Sequence, residues 1–70
     1  MDIAEDKILE NLYKAQTKLI ENNVEMRRSL VEDFNAPQDV LDKWDFEYEM
    51  LMHEINSRIE LRRFAITYFK

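Results

Sequence analysis

The sequence predicts an all-α protein: an antiparallel two-helix hairpin, coiled-coil-like, that assembles into a helical bundle by self-association or with a partner. Three observations predict it. The 70-residue chain has no glycine and a single proline, Pro37, close to its midpoint. Apolar residues recur at helical spacing on both sides of that proline. Hydrophobic residues at 46% and charged residues at 36% mark a folded, strongly amphipathic chain, not a disordered one. One domain, residues 1–70, is expected, and it leaves no room for a separate catalytic unit.

Helix 1 is expected over about residues 3–34. Asp2 followed by Glu5 reads as a capping box, the aspartate accepting a backbone N–H while the glutamate reaches back. Beyond it, Ile8, Leu12, Ala15, Leu19, Met26 and Leu30 form one apolar seam. Leu9, Tyr13, Ile20, Val24, Val31 and Phe34 form a second seam beside it, so the apolar arc is broad. The opposite face is charged, with Glu10–Lys14 and Arg28–Glu32 at i,i+4 spacing. Gln16, Asn23 and Arg27 interrupt the arc and read as polar residues that fix helix alignment.

The turn is expected at residues 35–36. Asn35 tolerates a left-handed backbone, and the residue before Pro37 is pushed out of the α region. Helix 2 then runs over about residues 37–69, with proline in its first turn and Asp39 near its positive end. So short a connection favours antiparallel neighbours, each about 50 Å long at 1.5 Å per residue. Pairing about Ala36 brings Arg27 to Trp44 and Asp45, Asn23 to Tyr48, and Leu12 to Ile59.

Helix 2 carries two apolar stripes where a hairpin needs one. Val40, Leu41, Trp44, Tyr48, Leu51, Met52, Ile55, Ile59, Ile66 and Phe69 form the stripe expected to face helix 1. Phe46, Met50, Leu61, Phe64 and Tyr68 lie roughly opposite at about 100° per residue. His53 and Ser57 continue this second stripe, histidine at its edge and serine as a small residue that permits close approach. A contiguous apolar patch of this kind marks a contact site, and aromatic residues are enriched at interface centres. Burying five such side chains at about 1.5–3 kcal/mol each only narrowly exceeds an association cost of roughly 4–15 kcal/mol. Helix 1 is therefore expected to contribute through Leu9, Tyr13, Ile20 and Val24, only partly covered within a hairpin.

Catalytic, metal and cofactor chemistry find little support. Cysteine is absent, and the serines are Ser29 and Ser57 alone, so no nucleophile–base pair presents itself. Glu49 and His53 share a helix face but are too few to hold a metal, and Met50 stands where a Glu-x-x-His motif would need glutamate. Arg27 with Arg58 or Arg62 is the nearest approach to a cationic substrate pocket. No enzyme, cofactor or small-molecule substrate is expected. A net charge of −5 opposes nucleic-acid binding. No apolar run approaches the roughly 20 residues of a membrane span, and the acidic N-terminus lacks the features of a signal peptide. A cytoplasmic protein is the default expectation.

The expected function is a small non-enzymatic protein–protein interaction module of the adaptor or co-chaperone type, an analogy of shape alone. Its partner is a second copy, as a homodimer, or another helical protein. The alternative is an acidic regulatory inhibitor. It would present Asp39, Asp42, Asp45, Glu47, Glu49 and Glu54 to a basic surface on an enzyme or a nucleic-acid-binding protein.

Overall fold

The computed structural model describes residues 6–69 and folds them into a helical hairpin, α1 (Lys7–Glu32) followed by α2 (Gln38–Tyr68). The helix start differs from the sequence expectation. Asp6 has an extended backbone (φ −80°, ψ 114°), and its Oδ1 accepts the Leu9 N–H at 2.8 Å, so α1 is capped at Asp6. The Asp2–Glu5 box lies outside the described residues. Asp6 also gains what a local box cannot supply. Arg62, on the other helix, donates to both carboxylate oxygens, with its Nη2 2.7 Å from Oδ2.

α1 ends at Glu32, two residues early, because the Ser29 carbonyl takes both the Asp33 N–H (2.8 Å) and the Phe34 N–H (3.2 Å). Asn35 then adopts the left-handed conformation expected of it, φ 48°. The chain folds back far enough for the Ala36 N–H to reach the Leu30 carbonyl at 2.9 Å. Pro37 caps α2 and is not its first residue. At φ −66°, ψ 161° its carbonyl accepts the N–H groups of Val40 and Leu41. Its own missing N–H costs nothing there.

The less exposed residues of α1 fall chiefly on Leu9, Leu12, Gln16, Leu19, Asn23, Arg27 and Leu30. These step by three and four, the spacing of a coiled-coil seam. The line belongs to neither expected seam. It runs between them, takes leucines from both and includes all three polar interruptions. On α2 the matching line is Leu41, Asp45, Tyr48, Met52, Ile55, Ile59, Arg62 and Ile66.

Polar bonds therefore join the helices over much of their length. Arg27 is bidentate on Asp45 at 2.8 and 3.0 Å, as the register predicts. The Trp44 indole N–H donates to Asn23 Oδ1 at 2.7 Å, so Trp44 and not Tyr48 satisfies that amide. The Gln16 side-chain amide donates to Asn56 at 2.6 Å. The apolar core is small and sits at the open end, where Leu9, Ile59 and Ile66 are buried with Leu12 and Ile55 packed against them. Leu9, expected on a partner surface, is 1% exposed and belongs to this core. One turn after the cap, it points straight at α2.

The Cα framework measures 51 × 17 × 9 Å. It is one helix thick. Domains ordinarily bury their apolar faces between two layers, and here there is a single layer with both broad sides open.

Candidate interaction surface

α2 turns the Phe46 stripe away from α1. At 100° per residue, Phe46, Met50, His53, Ser57, Leu61, Phe64 and Tyr68 lie on the side opposite the inward line, and all seven are exposed. Exposure reaches 69% at Leu61 and 70% at Tyr68. The Phe64 and Tyr68 rings stack with centroids 4.4 Å apart and planes inclined by 27°, so the C-terminal part of the stripe forms one aromatic platform. Tyr13, Ile20 and Val24 of α1 are exposed as well, on the flank of the inward line formed by the second seam.

A further apolar groove runs between the helices on one broad side, and sequence reasoning missed it. Leu19, Met26, Trp44, Tyr48 and Leu51 line it, and Ala15 and Ile55 extend it toward the open end. Leu51, Val40 and Phe69 had been assigned to the stripe facing helix 1, yet all three are exposed. They occupy the flank between the two stripes. That position is visible in a helical projection once the inward line is known to centre on Asp45, Met52 and Ile59.

Nine charged side chains of the described residues pair with one another in five ion pairs. Arg27 is held by Asp45 and Arg62 by Asp6, at sites about 30 Å apart along the hairpin at 1.5 Å per residue. The expected approach of these two arginines to a common pocket is not formed. Each guanidinium is pushed further toward its charged form by hydrogen bonding to its carboxylate. Asp6 and Asp45 are pulled below the usual carboxylate range, chiefly by those same hydrogen bonds. Glu10 is lowered by Lys14, 3.1 Å away as its i,i+4 spacing predicts, with Lys7 contributing. The expected Arg28–Glu32 pair is absent from the ion pairs of the described residues.

Of the acidic residues at the start of α2, Asp45 is tied to Arg27, Glu54 to Arg58, and Asp42 accepts the Gln38 amide. The acidic face is thus partly neutralised within the chain. Among the described residues no group of three or more His, Asp or Glu side chains could hold a metal ion. No described helix is long and apolar enough to cross a membrane. The chain matches no protein-family model, no curated protein and no solved structure.

Asp6 makes the hairpin sensitive to acid. Its folded-state pKa is depressed below the ordinary 3.8, so its stabilisation is present above that value and is lost as pH falls through the lower folded value. Asp45 and Glu10 carry the same sign. The expected result is a melting midpoint that falls on acidification below about pH 4, with a smaller fall in Asp6→Asn, which keeps a capping oxygen without the titrating charge. Circular dichroism melts from pH 2.5 to 6 check this, and parallel curves for the two proteins would refute it.

Proposed function

We propose that this protein is a protein–protein interaction module that works by docking its open apolar faces against another helical surface. The observation that carries the reading is the imbalance of burial. Among the described residues three hydrophobic side chains are buried, whereas fifteen large ones stay exposed, six of them aromatic. Scattered surface hydrophobics are common, but here they are contiguous along one helix and along one groove. Polar bonds set the alignment of the two helices and leave most apolar surface for an outside partner.

A hairpin of this size supplements a small core by association. Its melting midpoint is therefore expected to rise with protein concentration, since anything that binds only the folded state stabilises it by mass action. Melts across a hundredfold concentration range test the reading. A monomer that melts cooperatively above roughly 60 °C at every concentration would overturn it, because its apolar faces would need no cover.

A further inference from the structure

The exposed stripe of α2 is disposed symmetrically about one small residue. Ser57 lies at its centre. Phe46 precedes Ser57 by eleven residues and Tyr68 follows it by eleven; Met50 and Phe64 stand seven away on either side, His53 and Leu61 four away. A two-fold interface must be complementary to itself, each residue meeting the one related to it by the axis. We infer that the partner on this face is a second copy of the chain, with the two α2 helices antiparallel and the two-fold axis at Ser57. The inference rests on the interaction-module reading and names its occupant.

In that register the larger side chains meet across the axis in compatible pairs. Phe46 of one copy faces Tyr68 of the other, and Met50 faces Phe64, a thioether against an aromatic ring. The stacked Phe64–Tyr68 platform then receives Phe46 and Met50 together. Ser57 faces itself, where a small side chain lets two helices approach most closely.

The charges agree with the antiparallel sense. In a two-fold antiparallel pair, like flanks face like flanks, which sets Glu49 within half a turn of Arg63 of the second copy. The Glu54–Arg58 pair, 2.7 Å within one chain, meets its own reversed copy and closes a four-charge ring. A parallel two-fold pair brings unlike flanks together instead and would set Glu49 beside Glu47 of the second copy. The area approaches what a stable dimer needs. The five large side chains are 53–70% exposed, which at roughly 200 Å² each offers about 600 Å². His53, Ser57 and the flanks bring this toward the ~800 Å² per partner of a standard interface.

The chain has no cysteine, so single cysteines report geometry cleanly. Ser57→Cys and Met50→Cys are each introduced into the full chain and equilibrated in a glutathione redox buffer, with helicity checked by circular dichroism. Two Ser57→Cys chains bring their thiols together on the axis, whereas two Met50→Cys thiols stand about 21 Å apart along the helices. The expected result is disulfide-linked dimer from Ser57→Cys exceeding that from Met50→Cys by on the order of tenfold or more. Equal cross-linking of the two would overturn the antiparallel register. A concentration-dependent melt without Ser57→Cys cross-linking would overturn self-pairing through this face of α2 and leave the interaction-module reading standing. A concentration-independent, cooperative melt would remove both.

Discussion

Replacing Leu61 and Phe64 together with glutamate is expected to abolish association while the helices still form. Both side chains are exposed on the face of α2 turned away from α1, so neither contributes to the bonds that join the hairpin. Within a single chain, surface substitutions of this kind usually stay within about 0.5 kcal/mol. At an interface the effect is of another order. Each replaced side chain forfeits about 1.5–3 kcal/mol of apolar burial, and each carboxylate faces apolar surface with no partner to repay its desolvation. In a two-fold dimer every substitution counts twice, so affinity falls by roughly a thousandfold or more. Sedimentation equilibrium is the measurement. The helical signal at low temperature survives, while the melting midpoint drops and ceases to depend on concentration. An unchanged mass would show that another face carries the association.

Ile59→Ala is expected to give a large loss of stability. Ile59 is 5% exposed and clusters with Leu9 and Ile66, so removing its side chain opens a cavity in a core of three buried residues. Truncations of this type cost about 2–5 kcal/mol. A chain of this length has a total stability of ~4–10 kcal/mol, so the substitution takes a large share of it. Urea titration followed by circular dichroism checks it, with a clear drop in the midpoint expected. The same truncation at Leu61, 69% exposed, changes the stability of the single hairpin little by comparison. If the two variants unfold at the same urea concentration, the buried cluster at the open end is not what holds the helices together.

Much of the hairpin was legible in the sequence because its signals are local. Asn35 before Ala36-Pro37 announces a reversal through backbone sterics alone, and the reversal fixes a register in which Arg27 meets Asp45. The outward position of the Phe46 stripe follows from the helical period. The cap at Asp6 was not legible because Asp2 and Asp6 are equally good N-cap residues by type. What distinguishes Asp6 in the structure is Arg62, on the other helix. The inward line of α1 was missed for a related reason. Periodicity locates apolar residues without saying which of them a neighbour covers, and with apolar seams on both flanks it cannot choose between them. Gln16, Asn23 and Arg27 decided the matter by taking partners on α2, which put the polar residues at the centre and the seams on the shoulders.

The order of the bonds along the hairpin sets how the chain closes. The Arg27–Asp45 and Asn23–Trp44 links span 18 and 21 residues, Gln16–Asn56 spans 40, and Asp6–Arg62 spans 56. Closing the widest of these loops costs about 1 kcal/mol more than closing the narrowest. The buried leucine and isoleucines lie beside that widest link. The polar bonds near the turn thus align the helices before the apolar cluster rewards the alignment, like a zip whose only catch is at the far end. Losing the first turn of α1 or the last turn of α2 would release the catch and leave the teeth to water.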